Sequence, residues 1–462
     1  MWSIRGVFTL LGRFFSWRWY VPLLLATWVL APELRRIVDW RTAYHTLSPF
    51  SLLPLLCLVP GMFLLWSQWP RLGIPYRRVL FLWGVALGYA FLVAYLSGAV
   101  LSALYASVLF GLPAIVGILM SCGSTEKIDV LYARIANTLL WLAVIASLYG
   151  IYQYIAPPPW DVYWAQQANI EGSQGVTESF NFRIFGTLNS TGPFAAFLTL
   201  AMLFNLPRLS RARWWAVILM VPCTIALVLT SVRADWVALA VGTVVYVALA
   251  PQRRPVLSSL GAVAAVFTLS GAILLGMVGG VNADRVVTSI TNRLQTFQAL
   301  QGDNSAQVRQ AETAGAVRQG FEEPLGQGIG VTGTSAKLSG GETNSLDNGY
   351  AARFVEMGAV GFSLYLIALA IALIATFTAY RRYVRGGNLA AGNLAALACS
   401  VQVVLLVAEI ASDQHASLSG MFFWLSLYFA SAYAAPSGSR VDPELGRFSP
   451  LPVLPPNRSV PA

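Results

Sequence analysis

Long apolar runs constrain this sequence more than any other feature. Residues 362–380, for example, read FSLYLIALAIALIATFTAY and contain no charged side chain. A helix of about 20 such residues crosses the hydrocarbon core of a bilayer, because it pairs its own backbone polar groups there. The chain is 56% hydrophobic and 11% charged, with a mean hydropathy of +0.63. Because a soluble domain does not need this much apolar sequence to fill its core, we predict an all-α polytopic membrane protein.

The apolar runs predict twelve transmembrane helices in the 462 residues. Their predicted positions are near 19–33, 48–66, 79–96, 98–120, 130–155, 184–206, 214–232, 235–250, 256–279, 350–379, 389–411 and 416–435. Spans three and four, and likewise spans seven and eight, are so close that each pair is either a tight hairpin or a misread boundary. The chain then divides into an N-terminal segment (1–18), nine spans (19–279), a large loop (280–349), three spans (350–435) and a disordered, proline-rich tail (436–462).

Basic residues indicate the orientation of these spans. With both termini in the cytoplasm, most of them fall at the ends of cytoplasmic loops, as the positive-inside rule requires. The loop residues concerned are Arg71, Arg77, Arg78, Lys127, Arg134, Arg208, Arg211, Arg213, Arg253, Arg254, Arg381, Arg382 and Arg385. The first outer loop is an exception, because it contains Arg35, Arg36 and Arg41. We therefore assign the net charge of +10 to helix orientation and to contact with anionic membrane lipid, and we expect no nucleic-acid partner.

No motif indicates a metal or a cofactor, and we expect neither. The four cysteines lie in or beside apolar segments without paired spacing, and two histidines are too few for a His-based metal site. The stretch GIGVTG at 328–333 matches the dinucleotide pattern G-x-G-x-x-G, but no apolar strand precedes it and no amphipathic helix follows it. The first apolar run is followed by ELRR rather than by a small-residue cleavage site, so we expect it to remain as an anchor.

The loop at 280–349 is the largest polar region, and the predicted topology places it on the outer side. N-cap candidates at 303–305 and a stop at Pro324 predict one helix of about 18 residues within it. The glycine-, serine- and threonine-rich residues that follow predict an irregular, mobile loop. A smaller outer loop, at about 156–183, carries tryptophans typical of a segment at the membrane interface.

Several arginines are predicted near the outer face of the membrane. The sequence LTSVRADW places Arg233 and Asp235 in a very short turn between two spans, where a charge is costly unless it is paired or lines a wet cavity. Two interpretations remain open: a local pair or headgroup contact, or an anion site near which Arg309, Arg318 and Arg353 also lie. Arginine suits such a site because its planar guanidinium makes bidentate, charged hydrogen bonds to phosphate.

A polar break, RIFGTLNSTGP, begins at Arg183 and opens the sixth predicted span. A break of this kind exposes backbone groups that protein or a water-filled cavity must satisfy. The segment is therefore either a plain helix kink or part of the lining of the same outer cavity, with Arg183 as a further candidate for contact with substrate.

The sequence NSLDNGYAARFVEMGAVGF combines charged residues with the entry to the tenth span. Asp347 beside an arginine-lined cavity could accept a proton from an attacking hydroxyl, and Asn348 is a further candidate for substrate contact. Arg353 and Glu356 are three residues apart, so they form either a structural pair or, for Arg353, a substrate contact. His415, between the last two spans, is a rival base because the ordinary pKa of histidine suits that task.

Four stretches then point to a known family: FGTLNSTGPFAAFL, SVRADW, SAQVRQAETAGAVRQGFEEPLGQGIG and DNGYAARFVEMGAVGF. In this order, over about residues 180–380, they resemble the O-antigen ligase and O-antigen polymerase superfamily of bacterial inner-membrane glycan transferases. The resemblance implies a GT-C-like helical fold and metal-independent, inverting transfer from an undecaprenyl-diphosphate-linked glycan on the periplasmic side. By position, Arg233 and Arg309 match the arginines that hold the diphosphate.

One position departs from the family pattern. Ligases of this family typically carry a histidine before the asparagine at re-entry, and this chain has Asp347 there. Either Asp347 replaces that base, or His415 does, or catalysis depends mainly on the arginines. The departure favours a polysaccharide polymerase; the alternatives are a ligase that transfers to lipid A core or a transferase to protein, and, more remotely, a lipid-linked-sugar flippase. The implied partners are the lipid-linked donor, a glycan or lipid A core acceptor, membrane lipid and other glycan-assembly membrane proteins.

Overall fold

The computed structural model describes residues 17–45, 48–122, 128–168, 170, 174–209, 214–251, 261, 264–266, 268–271, 304–339 and 346–432. Most of the predicted N-terminal segment, most of the ninth span, the first part of the large loop and the C-terminal tail lie outside these residues. Within the described ranges, all regular secondary structure is helical, which confirms the all-α prediction.

Fifteen α-helices are described in these ranges and are numbered in chain order. They are α1 (Trp17–Arg41), α2 (Pro49–Leu56), α3 (Val59–Gln68), α4 (Ile74–Leu96), α5 (Val100–Gly111), α6 (Val116–Cys122), α7 (Ile128–Ile155), α8 (Pro159–Gln167), α9 (Thr191–Leu209), α10 (Trp214–Thr230), α11 (Arg233–Leu249), α12 (Asn304–Glu322), α13 (Gly349–Arg385), α14 (Leu389–Ala408) and α15 (Ser417–Ala432). Short 3₁₀ helices at Trp69–Arg71, Leu112–Ile115 and Gly333–Ser339 complete the described elements.

Six helical segments in the described ranges are long and apolar enough to cross a membrane. They are Pro49–Arg71, Ile74–Leu96, Val100–Cys122, Ile128–Ile155, Gly349–Arg385 and Leu389–Ala408, and two shorter apolar helices lie at Trp215–Thr230 and Ser417–Ala432. The structure therefore supports a multi-pass membrane protein. The count of twelve and the sidedness of the large loop stay predictions.

Both closely spaced pairs of predicted spans are separate helices joined by tight turns. Helix α4 ends at Leu96 and α5 begins at Val100, with Gly98 at φ +83° between them. Helix α10 ends at Thr230 and α11 begins at Arg233, with Ser231 at φ +55°. A left-handed backbone reverses the chain in few residues, which is why spans that nearly touch in sequence are distinct.

Helix α13 packs against α4, α12 and α14, and it is broken near its start. Gly358 has φ 59° and ψ −171°, which no helix accommodates, so the element consists of a first half, 349–357, and a long apolar second half. The backbone N–H of Ala359, just after the break, donates to the carbonyl of Pro324 at 2.9 Å. The charged residues that precede the span therefore lie on a separate half-helix.

The glycine-rich segment after α12 is irregular, as predicted, but its backbone is bonded to neighbouring helices rather than left mobile. Gln327 and Gly328 donate to carbonyls in the first half of α13 at 3.0 and 2.9 Å, and Ile329 donates to Ala90 of α4 at 3.1 Å. A Cβ on Gly328, at φ +94°, would overlap the backbone of Ala94. Gly328 and Gly330 of GIGVTG thus allow close packing against α4 and α5.

Candidate functional site

Two of the predicted arginines lie at or contact the turn between α10 and α11. Arg233 is the first residue of α11, and Nε of Arg183 donates a hydrogen bond of 2.9 Å to the carbonyl of Thr230 at the end of α10. Both arginine side chains are half-buried. Arg183 is thus bonded to Thr230, which lies three residues before Arg233 in the chain.

The polar break after Arg183 is a non-helical segment, 184–190, whose backbone is satisfied by protein. Oε1 of Gln153 accepts from the N–H groups of Phe185 and Gly186, both at 3.1 Å. The guanidinium of Arg36 donates to the carbonyls of Gly186 and Leu188 at 2.7 and 2.5 Å. Helix α9 therefore begins seven residues later than the predicted span, at Thr191.

Arg36 is the centre of a buried ionic cluster that the sequence patterns did not reveal. Its side chain is fully buried, pairs with Asp161 of α8 at 3.0 Å and contacts Glu33. The hydroxyl of Tyr149 lies 2.7 Å from a carboxylate oxygen of Asp161 and 2.7 Å from one of Glu33, so it can donate to either. Burial raises the pKa of Asp161 to about 6, and the Arg36 charge opposes that rise. One sequence feature could have indicated this cluster: Arg36 departs from the positive-inside pattern. An arginine on the wrong side of the membrane is expected to be paired within the protein, and Arg36 is paired with Asp161 and Glu33.

Arg35 also departs from the positive-inside pattern, and it too is paired within the protein. Its guanidinium pairs with Asp39 at 3.2 Å, donates to Ser51 Oγ at 2.9 Å and lies 4.7 Å from the ring centre of Trp164. An arginine neutralised and bonded in this way carries little orienting charge. Trp164, predicted as an interfacial residue, is buried and donates from its ring nitrogen to the carbonyl of Asn189 at 3.1 Å.

Arg309 and Asp347 form a direct ion pair. Nε of Arg309, on α12, is 2.7 Å from Oδ2 of Asp347, which lies two residues before α13. The two side chains are 53% and 45% exposed, so the pair is open to solvent or to a ligand. The sequence predicted a role for each residue, and the structure brings them together.

Close packing of small residues sets this arrangement. Ala316 of α12 packs against Ala351 and Val355 in the first half of α13. A Cβ on Gly320 would overlap the ring of Phe354, so the two helices approach closely at this glycine. Arg318 points elsewhere on α12: its side chain is 80% exposed and lies 3.8 Å from Glu322, one turn along the helix.

Asn348 is the N-cap of α13. Its side-chain oxygen accepts from the backbone N–H of Ala351 at 3.1 Å, which satisfies one of the free donors at the start of the helix. The next residue, Gly349, donates from its backbone to the carbonyl of Glu409 at 2.8 Å. A Cβ there would overlap the Glu409 carboxylate. These contacts fix the start of α13 and thereby the position of Asp347, which precedes it.

Arg353 and Glu356 form an ion pair inside the protein, which supports the structural interpretation of their spacing. Arg353 is 4% exposed, lies 3.5 Å from Asp413 and stacks 4.2 Å from the ring centre of Phe110. A substrate contact by Arg353 would have to reach a guanidinium that is already enclosed.

Glu356 also holds the glycine-rich segment. Its Oε1 accepts from the N–H of Gly330 at 3.0 Å and from the hydroxyl of Thr332 at 2.6 Å. A buried carboxylate is stable only when such partners satisfy it. The segment that follows α12, the helix of Arg309, is thereby bonded to the first half of α13, which begins just after Asp347.

His415 is fully buried between α14 and α15. Its Nδ1 lies 2.8 Å from Glu409 and 3.0 Å from the hydroxyl of Tyr365, and Nε2 is buried without a hydrogen-bond partner. The rings of Trp83, Tyr365 and Phe423 surround it. Of the two candidate bases, Asp347 is accessible and His415 is enclosed.

Comparison with known families supports the predicted relationship. A family model described as O-antigen ligase matches residues 215–366, a segment that includes Arg233, Arg309 and Asp347. No curated protein matches significantly. Together with the apolar helices, the match confirms the resemblance to the superfamily and supports a membrane glycan enzyme of the ligase or polymerase type. Within the described residues, no three or more His, Cys, Asp or Glu side chains are grouped so that they could hold a metal ion.

Proposed function

We propose that this protein, which resembles the O-antigen ligase and polymerase superfamily, is a polysaccharide polymerase of the bacterial inner membrane. In this proposal it transfers a glycan from undecaprenyl diphosphate to a sugar hydroxyl on the periplasmic side. The observation that carries it is the Arg309–Asp347 pair: a carboxylate and a guanidinium 2.7 Å apart, half-exposed, at the junction of the loop helix and α13. Such a pair offers a proton acceptor beside a fixed positive charge.

The proposed reaction is a single displacement with inversion. The acceptor hydroxyl attacks the anomeric carbon, its proton passes to the carboxylate of Asp347, and the bond between that carbon and the diphosphate oxygen breaks. The electron pair leaves with undecaprenyl diphosphate. Arg233, Arg309 and Arg183 offset the negative charge that develops on the leaving group, a task that fixed cationic groups perform well in a partly dry site. In this scheme the guanidinium groups supply the charge that a metal ion supplies in other transferases.

Asp347 is preferred to His415 as the proton acceptor for a geometric reason. A general base must come within hydrogen-bond reach of the proton it removes. Asp347 is 45% exposed, whereas His415 is fully buried and its Nδ1 already faces Glu409 and Tyr365. His415 would need a large rearrangement to reach an acceptor sugar.

The second candidate function is a ligase that transfers the glycan to lipid A core. The description of the matching family, O-antigen ligase, favours it. The aspartate at position 347 favours the polymerase, because ligases of the family typically carry histidine there.

Reconstitution separates the two candidates. Purified protein in liposomes is given an undecaprenyl-diphosphate-linked repeat unit, with and without lipid A core, and the products are resolved on gels. We expect a ladder on the undecaprenyl carrier without core. A product that forms only on the core would replace the polymerase by the ligase. An inactive Arg233→Ala variant beside active wild-type protein would tie either reaction to the proposed site.

A further inference from the structure

Large apolar side chains are exposed at the end of α12. Phe321 is 74% exposed, and Leu325, just after the helix, is 67% exposed. Val317 is exposed as well, and because it lies four residues before Phe321 the two share one face of the helix. A continuous exposed apolar surface typically marks contact with a partner or with a membrane.

Helix α12 runs beside the first half of α13 in the same direction. Near the start of both helices, Arg309 pairs with Asp347. Near the end of both, the carbonyl of Pro324 accepts from the backbone N–H of Ala359, the first residue after the break in α13. The end of α12 therefore lies at the level where the long apolar half of α13 begins.

Contacts with α4 place this end within the apolar length of two predicted spans. The hydroxyl of Tyr89 donates to the carbonyl of Leu325 at 2.9 Å, and the Tyr89 ring lies against Gly361 of α13. From Tyr89, helix α4 continues to Leu96, a distance of about 10 Å at 1.5 Å per residue. Leu92 and Leu96 in that stretch are exposed. Because exposed leucines on a membrane span face acyl chains, the end of α12 lies at the depth of a lipid-facing surface.

We propose that the end of α12, through Phe321 and Leu325, is inserted among the acyl chains of the bilayer and anchors this helix to the membrane. Membrane lipid is the occupant because the surface is continuous with the exposed apolar sides of α4 and α13, where Val360 is also exposed. The charged residues Arg318 and Glu322 pair with each other on an adjacent face, as in a helix that lies at a membrane interface.

The inference goes beyond the proposed function and does not depend on it. It assigns a membrane-contact surface to a helix that the sequence predicts in a polar loop outside the bilayer. The anchor fixes the height of α12 above the bilayer, and thereby the height of Arg309.

The first test identifies what touches this surface. The photoreactive residue p-benzoylphenylalanine replaces Phe321 in one variant and Leu325 in another, in the full-length protein in liposomes of phosphatidylethanolamine and phosphatidylglycerol. On irradiation the benzophenone carbonyl bonds to a nearby C–H carbon, and the mass of the protein shows what was captured. We expect phospholipid adducts at both positions. Ala311, exposed on the same helix about 15 Å before Phe321, is the matched control and should give none.

The second test measures depth with nitroxide spin labels. Phe321→Cys, Leu325→Cys and Ala311→Cys are made in a chain whose four native cysteines are replaced by alanine, with Val85→Cys, exposed midway along α4, as the bilayer reference. Labels at 321 and 325, like that at 85, should collide more often with oxygen, which dissolves in acyl chains, than with a water-soluble nickel complex. The label at 311 should show the reverse. Thermal midpoints in the same liposomes show whether each variant is folded, and the photoreactive variants keep all four cysteines.

Two results would overturn the anchor. Labels at 321 and 325 that collide with nickel as often as the label at 311, or equal lipid capture at 311, would mean that this end of α12 is not inserted. Adducts with a second copy of the chain in place of lipid would mean that protein covers the surface. Either result would leave the proposed transfer reaction standing, because no step of that reaction uses Phe321 or Leu325.

Discussion

The Arg309–Asp347 pair allows a prediction in which stability and activity separate. An exposed ion pair contributes about 0.2–1 kcal/mol to folding, and these side chains are 53% and 45% exposed. If Asp347 removes the proton of the acceptor, its loss costs about 10²- to 10⁴-fold in rate. Loss of the Arg309 charge at the leaving group costs about 10²- to 10³-fold. A 10²-fold loss corresponds to about 2.7 kcal/mol in the activation barrier, well above the stability term.

Asp347→Asn and Arg309→Ala should therefore each remove most of the glycan product while shifting the thermal midpoint by only a few degrees, at most about 4 °C. The exchange variant, with Arg309→Asp and Asp347→Arg together, can re-form the pair with the charges reversed. We expect it to be folded and inactive, because the carboxylate no longer stands where the acceptor needs it. Initial rates come from gel analysis of labelled product in liposomes, and midpoints come from the same preparations.

A matched control is available on the same helix. Glu322→Gln breaks the exposed pair with Arg318, which lies at 3.8 Å, and should leave both rate and midpoint close to wild type. Full activity in the exchange variant would refute the reasoning, since a pair that works with reversed charges serves structure alone. Near-normal product from Asp347→Asn would remove Asp347 as the proton acceptor.

Three further predictions concern the scaffold of the site. Arg36→Ala should destabilise the protein by about 3–5 kcal/mol, because it leaves Asp161 as an unpaired buried charge; Arg36→Met combined with Asp161→Asn should recover much of that loss in denaturant titrations. Gly328→Ala should destabilise by about 1–3 kcal/mol, since the new Cβ meets the backbone of Ala94 at a positive φ, and the thermal midpoint measures it. The pKa of Asp161 is raised to about 6, so the native state binds this proton more tightly than the unfolded chain does, and the free energy of unfolding should fall as pH rises from about 4 to 6. Asp161→Asn should flatten the plot of unfolding free energy against pH in that range. An unchanged slope would contradict the assignment.

Sequence patterns predicted the features that depend on local chemistry. Apolar runs located the long apolar helices but not α8, which lies in the segment predicted as an interfacial loop. The spacing of Arg353 and Glu356 indicated their pairing. Contacts between distant segments were less accessible. The ion pair of Arg36 with Asp161 joins α1 to α8. The only sequence signal for it was that Arg36 departs from the positive-inside pattern; the loop predicted to carry Arg36 is part of α1. His415 is enclosed by rings on α4, α13 and α15, which are distant in sequence. The sequence could not show this enclosure, so the ordinary pKa of histidine was the only basis for predicting His415 as a base.

The break at Gly358 explains why charged residues can stand at the entry to a long apolar helix. If 349–385 were one straight span, Arg353 and Glu356 would enter the bilayer on its first turns, at a cost of several kcal/mol. The break separates the half-helix that carries them from the apolar half, and Asp413, Phe110 and the glycine-rich segment enclose it. Close contacts of Ala316 and Gly320 with the half-helix hold it against α12. Asp347, just before its first turn, is thereby held at Arg309, so the unusual charged entry serves to hold the pair proposed to carry the reaction.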